Sequence, residues 1–197
     1  MSQGTHETEI KLAVKDARSI RRLLREAGFV VSRPRVLEAN TVFDTPQQIL
    51  RNSSSLLRIR QAGRVTTITY KGVPEPGNYK SREELELKID NAPAMLAIVE
   101  RLGFRGVFRY EKYRTEFRQP RRAGMAMLDE TPLGVYLELE GTPHWIDRTA
   151  RRLGFQESDY ITASYGRVYL DWCAARGCKP GDMTFGESAP INRGRAS

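Results

Sequence analysis

Glutamates separated by one residue occur as three pairs in the sequence. They are Glu7 and Glu9 in "ETE", Glu84 and Glu86 in "ELE", and Glu138 and Glu140 in a second "ELE". Residues two apart in a β-strand point to the same face, so each pair would present two carboxylates side by side. Carboxylate clusters bind hard divalent cations such as Mg²⁺ or Mn²⁺. The three pairs therefore indicate a site for a divalent metal.

Basic residues alternate with apolar ones in the same way. The basic residues at these positions are Lys11, Arg58, Arg60, Lys71, Arg82, Lys112 and Arg114. Arginine and lysine clusters bind phosphate oxygens, and arginine often does so with two hydrogen bonds. A polyphosphate chelated to a divalent metal would satisfy the acidic and the basic set together.

The elements that carry these residues predict an α+β fold. Turn signals and periodicity divide the chain into about eight strands, mostly antiparallel neighbours, and amphipathic helices such as "APAMLAIVERLGF". The charged strand faces could simply face solvent. If the helices cover the apolar faces instead, a closed sheet carries its charges inside. Unpaired buried charges are costly, so such a lumen must be wet and must hold a ligand.

Length, charge and hydrophobic content limit the domain organisation and the kinds of partner that this protein can have. The 197 residues suit one domain, which we predict over residues 1–176, followed by a flexible tail over 177–197. The net charge of +8 favours an anionic partner such as nucleic acid, a membrane surface or a phosphate-rich small molecule. No run of about 18–20 apolar residues and no secretory signal is visible, so we expect a cytoplasmic protein with no membrane segment.

Six short motifs resemble, in order along the chain, the CYTH or triphosphate tunnel metalloenzyme superfamily. They are "ETEIK", "LLRIR", "TYKG", "REELE", "EKYRTEF" and "LDETPLGVYLELEG", and the resemblance spans about residues 5 to 172. This superfamily includes class IV adenylate cyclases, thiamine triphosphatases and inorganic tripolyphosphatases. The resemblance implies an eight-stranded antiparallel β-barrel, or tunnel, with a charged lumen and helices packed outside.

The resemblance also implies a role for each charged residue. Mg²⁺ or Mn²⁺ would be bound by Glu7, Glu9, Glu84, Glu86, Glu138 and Glu140. Asp129 is counted with this set, fixing either a basic residue or a metal-bound water. The phosphates would be held by Lys11, Arg58, Arg60, Lys71, Arg82, Lys112 and Arg114. Lys71, Glu138 and Glu140 are the candidate catalytic residues. Val42 differs from the aromatic or polar residue common at its position, which argues against a base-stacking role there.

Two reactions and one non-catalytic reading remain open from the sequence. Our first expectation is hydrolysis of the terminal phosphoanhydride of tripolyphosphate, thiamine triphosphate or ATP. This reaction requires the fewest features in the sequence. Cyclisation of ATP to cyclic AMP and pyrophosphate is the alternative. A polyphosphate-binding module without catalysis is the third reading. Nucleic acid is not expected as a partner except as a 5′-triphosphate RNA, and a homodimer is left open.

Overall fold

Eight antiparallel strands form a closed barrel in the computed structural model, which describes residues 5–186. Around the barrel the strands follow the order β1-β5-β4-β3-β2-β6-β7-β8, and β8 pairs with β1. The strands are β1 (Thr5–Val14), β2 (Val30–Asp44), β3 (Leu56–Ala62), β4 (Val65–Lys71), β5 (Lys80–Ile89), β6 (Arg105–Arg118), β7 (Met125–Thr131) and β8 (Gly134–Glu140). The predicted α+β fold with an eight-stranded antiparallel tunnel is therefore confirmed.

Five α-helices lie outside the barrel wall or against one end of it. They are α1 (Ala17–Glu26), α2 (Ile49–Asn52), α3 (Ala92–Arg101), α4 (Pro143–Arg152) and α5 (Tyr165–Arg176). The four longer helices begin at side-chain caps, namely Asp16, Asn91, Thr142 and Ser164, each of which accepts a backbone N–H three residues on. Among residues 5–186 no helix has the length and apolar character needed to cross a membrane.

The main hydrophobic core lies between the barrel wall and the helices. Ile10 and Leu12 of β1 are fully buried against Leu24 of α1 and Ile146 of α4. Lys11, between those two strand residues, is also buried and points to the opposite face, into the barrel. The sheet therefore places its apolar face outward under the helices and its charged face inward, as the resemblance implied.

Strand β2 closes the barrel by pairing with β3 on one side and with β6 on the other. The β2–β6 register shifts between Arg33 and Val36, which brackets Pro34. Proline cannot donate to a ladder, so it is tolerated at such an irregularity. Pro34 therefore lies inside a paired strand, at an interruption of the ladder.

The start of the predicted flexible tail packs on β6. The backbone N–H of Met183 donates to Arg109 O and the N–H of Glu111 donates to Met183 O, each at 2.9 Å. The Met183 side chain is fully buried with Tyr110, Tyr165 and Tyr169. Residues 181–185 are thus in contact with the barrel, which the prediction of a free tail from residue 177 did not include. The rest of that predicted tail, 187–197, lies outside the described residues.

Candidate active site

A cavity of about 240 Å³ runs inside the barrel and is lined by charges of both signs. Every predicted site residue except Asp129 lines it. Nine basic and seven acidic side chains contribute, so the wall carries more positive than negative groups. The acidic set is Glu7, Glu9, Glu84, Glu86, Glu116, Glu138 and Glu140, and the basic set is Lys11, Arg33, Arg58, Arg60, Lys71, Lys80, Arg82, Lys112 and Arg114. The surplus suits an anionic ligand.

Asp129 lies behind the cavity wall and organises the basic side chains of β6. Arg114 donates from Nε to Oδ1 at 2.7 Å and from Nη2 to Oδ2 at 2.6 Å, and Lys112 Nζ donates to Oδ2 at 2.8 Å. Tyr165 donates its hydroxyl to the same Oδ2 at 2.7 Å. Arg114 also donates to Glu138 of β8. Asp129 is fully buried, and its oxygens face these donors.

Lys11 connects this network to the acidic side of the cavity. Its Nζ lies 3.2 Å from Glu138 and 3.5 Å from Glu9. Burial alone would lower the pKa of Lys11, but the negative charges of Glu9 and Glu138 outweigh burial and raise the pKa above its usual value. Burial alone would raise the pKa of Glu138, but the charges of Arg114 and Lys11 hold it well below the usual range. All of these groups are therefore charged near neutral pH.

Three carboxylates lie near one another on β1, β5 and β8, beside the strand positions of Lys11 and Glu138: Glu7, Glu84 and Glu140. Lys71 Nζ lies 2.6 Å from Glu7 and 2.5 Å from Glu84. Burial and a hydrogen bond with Glu7 raise the pKa of Glu84, and the charge of Lys71 lowers it. The raising effects are larger, so the pKa is about 7. Burial and the charge of Glu7 likewise raise the pKa of Glu140 to about 8. One ammonium group does not offset three carboxylates, so this corner favours an additional cation.

Glu9 lies beside that corner and pairs with a lysine that the sequence prediction left out. Lys80 Nζ donates to Glu9 Oε1 at 2.8 Å. Burial and the nearby charges of Lys11 and Arg82 lower the pKa of Lys80 to about 8, although Glu9 acts in the opposite direction. Arg82, on the same face of β5, is buried and lines the cavity next to this pair.

The remaining wall belongs to β2, β3 and β5. Arg60 donates to Glu38 of β2 at 3.3 Å and to Glu86 of β5 at 3.4 Å. Arg58 donates to Tyr110 at 3.3 Å and to Thr69 at 3.2 Å. Both arginines are thus held by contacts to neighbouring strands, which fixes their direction across the lumen.

Six charged or aromatic residues of this site were missing from the sequence prediction: Arg33, Glu38, Lys80, Tyr110, Glu116 and Tyr165. Parity could have found three of them, because Lys80 is two residues before Arg82, Tyr110 is two before Lys112 and Glu116 is two after Arg114. Glu38 stands opposite Lys112 in the β2–β6 register. Tyr165 gave no such signal, because its helix pattern reads as ordinary packing.

The acidic corner fits a hard divalent cation in its chemistry. The donors of Glu7, Glu84 and Glu140 are carboxylate oxygens, the type that Mg²⁺ and Mn²⁺ prefer. Burial raises the pKa of Glu84 and of Glu140, and the neighbouring Glu7 adds to this shift. Within residues 5–186, however, no three acidic, histidine or cysteine side chains converge as a ready metal site. Lys71 Nζ contacts both Glu7 and Glu84, so a metal ion bound there would compete with this ammonium group.

Comparisons with known proteins agree with this architecture. The family model described as "CYTH domain" matches residues 5–165. A protein of Methanocaldococcus jannaschii, named "Putative adenylate cyclase MJ0240", is 31% identical over 134 residues, which cover 68% of this chain and 75% of that protein.

Solved structures share the fold at lower identity. The PH1819 protein of Pyrococcus horikoshii superposes with a TM-score of 0.73 at 23% identity, over 84% of this chain and 99% of that one. HpAC1 from Hippeastrum, described as an adenylyl cyclase candidate with a dominant triphosphatase activity, superposes with a TM-score of 0.63 at 22% identity, over 84% and 96% of the two chains.

Proposed function

The chain belongs to the CYTH domain family, and on that premise we propose that it is a divalent-metal-dependent triphosphatase. It would hydrolyse the terminal phosphoanhydride of an inorganic or organic triphosphate inside the barrel. The observation that carries the proposal is the presence of both kinds of group in one cavity. The carboxylates of Glu7, Glu84 and Glu140 and fixed cations that include Lys11, Lys112 and Arg114 line the same lumen.

The basic wall supplies most of what phosphoryl transfer needs. Catalysis of this reaction rests on positioning and on stabilising negative charge. Arg114 is locked by Asp129, and Lys11 is held between Glu9 and Glu138, so these cations are already in place before a substrate arrives. Such preorganised groups stabilise charge on the transferring phosphoryl group and on the leaving group without reorganising.

The acidic residues would hold the metal. Glu7, Glu84 and Glu140 are the proposed principal ligands, with Glu9, Glu86 and Glu138 completing the acidic set. A bound Mg²⁺ or Mn²⁺ would offset charge on the phosphate oxygens. Lys71 would then turn from Glu7 and Glu84 towards a phosphate oxygen. We assign Asp129 to the support of Lys112 and Arg114, because its oxygens face those groups.

In hydrolysis, water attacks the terminal phosphorus, the bond to the bridging oxygen breaks, and orthophosphate leaves with the shortened polyphosphate. The dominant triphosphatase activity stated for the Hippeastrum protein supports this choice. Lys71 was one of the three candidate catalytic residues from the sequence, which left the identity of the general base open. The nitrogen of Lys71 donates to two carboxylates, so a role as general base would require both contacts to open.

Adenylate cyclisation is the second candidate, favoured by the name of the Methanocaldococcus jannaschii relative. The ribose 3′-hydroxyl would attack the α-phosphorus of ATP and pyrophosphate would leave. This reaction needs a pocket for adenine. Val42 instead packs with Phe108, Tyr136 and the other aromatic residues at the end of the barrel, and it does not line the cavity.

The test is turnover with Mg²⁺ or Mn²⁺ on tripolyphosphate, thiamine triphosphate and ATP, resolving phosphate, pyrophosphate and cyclic AMP. Glu84→Gln removes a lumen carboxylate, and Glu83→Gln is its matched control, because Glu83 is the next residue of β5 and is exposed. We expect phosphate release that Glu84→Gln abolishes and Glu83→Gln retains. Cyclic AMP with pyrophosphate would establish the cyclase instead. Binding with no product from any substrate would leave a polyphosphate-binding module.

A further inference from the structure

Tyr165 reaches into the charged lumen from a helix. It is the first residue of α5, directly after the capping residue Ser164, and both line the cavity. Its side chain is buried. Among the described residues of α5, Tyr165 is the one that lines the cavity together with the basic side chains.

The ring and the hydroxyl of Tyr165 contact different members of the basic wall. Lys112 Nζ lies 4.9 Å from the ring centroid and Lys11 Nζ lies 5.3 Å from it. Both distances are within the range of a cation–π interaction. The hydroxyl donates to Asp129 Oδ2, which also accepts from Lys112 and Arg114. One side chain therefore touches two ammonium groups and their shared counter-ion.

The chain leading into α5 is attached to the same place. Ile161 and Lys11 exchange two backbone hydrogen bonds of 2.9 Å, although they lie on distant parts of the sequence. Further along α5, Tyr169 and Cys173 pack with the buried Met183. The helix is thus fixed at both its start and its middle, so the Tyr165 ring has a defined position over the lysines.

We infer that Tyr165 is a positioning residue that holds Lys11 and Lys112 towards the phosphates of the substrate. This inference rests on the proposed function. Each lysine has carboxylates competing for it: Glu9 and Glu138 lie beside Lys11, and Asp129 lies beside Lys112. The ring attracts both ammonium groups from a direction other than that of the carboxylates, and the hydroxyl takes up part of the hydrogen-bonding capacity of Asp129.

Tyr169 provides a matched control within the same helix. It is one turn after Tyr165, has nearly the same exposure (7% against 6%) and belongs to the same aromatic cluster. Its hydroxyl, however, contacts groups outside the lumen: it accepts from Gly181 N at 3.2 Å, donates to Asp182 O at 3.3 Å and interacts with the side chain of Cys173. A purely structural tyrosine in α5 should behave like Tyr169.

The experiment compares Tyr165→Phe, Tyr165→Leu and Tyr169→Phe with the unmodified protein. Calorimetry measures the Kd of tripolyphosphate with chelator and with Mg²⁺, steady-state kinetics separates KM from kcat, and urea unfolding measures stability. We expect Tyr165→Leu to weaken tripolyphosphate binding about tenfold, because both cation–π contacts are lost. We expect Tyr165→Phe, which keeps the ring, to weaken binding about threefold, and Tyr169→Phe to change it less than twofold.

The two proposals can fail separately. If the unmodified protein binds or hydrolyses tripolyphosphate and both Tyr165 variants bind it as well as Tyr169→Phe does, the positioning role is wrong and the triphosphatase stands. If Tyr165→Leu weakens binding only in proportion to lost folded protein, the role is likewise wrong. If the unmodified protein neither binds nor hydrolyses tripolyphosphate, thiamine triphosphate or ATP, the proposed function fails and the inference with it.

Discussion

At the residue scale, Glu38 shows how tightly the charges of the lumen are matched. Its side chain is fully buried, with Arg60 at 3.3 Å and Lys112 at 3.7 Å. Burial alone would raise the pKa of Glu38, but the charges of Arg114, Lys112 and Arg60 lower it to about 2. Glu38 is therefore ionised throughout the neutral range, and its negative charge offsets the positive charges of Arg60 and Lys112.

We expect Glu38→Gln to destabilise the protein strongly. Removing one partner of a buried ion pair leaves uncompensated charge, which costs about 3–5 kcal/mol. The measurement is the free energy of unfolding in urea. Glu130→Gln is the control, since Glu130 pairs with Arg21 and Arg35 on the outside of the barrel and such pairs contribute about 0–1 kcal/mol. Equal losses for both variants would contradict the matched-charge account.

Arg114 should not tolerate replacement by lysine. Its guanidinium makes two parallel hydrogen bonds to Asp129 and a third contact to Glu138, and a lysine ammonium cannot reproduce that fork. We expect Arg114→Lys to lower kcat/KM for tripolyphosphate about a hundredfold, or about 2.7 kcal/mol of transition-state stabilisation. Arg118→Lys, at the exposed end of the same strand, should leave kcat/KM within twofold; retained activity in Arg114→Lys would show that charge alone suffices.

At the element scale, Gly124 fixes how α4 meets the barrel. Its φ is +125°, and an added Cβ would lie 2.5 Å from the ring of Trp145, the first buried aromatic residue of α4. Trp145 belongs to the main core and packs edge-on against Phe29. The close approach of the strand start to this ring therefore requires glycine.

We expect Gly124→Ala to lower stability by about 3 kcal/mol or more, because backbone strain adds to overpacking of about 1–3 kcal/mol. Gly28→Ala separates the two effects. Gly28 has a φ of +81° but no atom within 4 Å of an added Cβ, so only the strain remains. Thermal unfolding of both variants measures the difference, and a similar fall in Tm for the two would mean that Trp145 moves aside at little cost.

At the scale of the whole molecule, the acidic corner should make stability depend on pH and on metal. The pKa values of Glu84 and Glu140 are raised to about 7 and about 8 in the folded protein, from a usual value near 4.5. Between pH 5 and pH 7.5 the folded state therefore binds more protons than the unfolded state, and stability falls as pH rises.

We expect the Tm of the metal-free protein to fall between pH 5 and pH 7.5, at about 2–4 °C for each kcal/mol lost in a chain of this size. Mg²⁺ should raise Tm more at pH 7.5 than at pH 5, because the ion takes the place of the protons. Differential scanning calorimetry with chelator or with Mg²⁺ measures both effects. The double variant Glu84→Gln/Glu140→Gln should reduce the change of Tm with pH. If Tm changes with pH as much in this variant as in the unmodified protein, other groups cause the pH dependence.

The sequence by itself determined which side chains share a strand face, and the resemblance to the CYTH superfamily implied that the charged face lines a closed lumen. The period of two in "ETEIK", "LLRIR" and "REELE" fixes which side chains share a strand face, and the amphipathic helices require the opposite face. Every predicted lumen residue except Asp129 lines the cavity as a result.

The tertiary structure alone decided which charges meet. Asp129 lies under Lys112 and Arg114 because the β6–β7 register places it opposite Arg114, and Glu38 lies opposite Lys112 through the irregular β2–β6 ladder. Tyr165 reaches the lumen only because α5 returns to β1 at Lys11. Strand parity is local and can be read from neighbouring residues. Register and helix docking depend on contacts between distant segments, so the sequence pattern does not contain them.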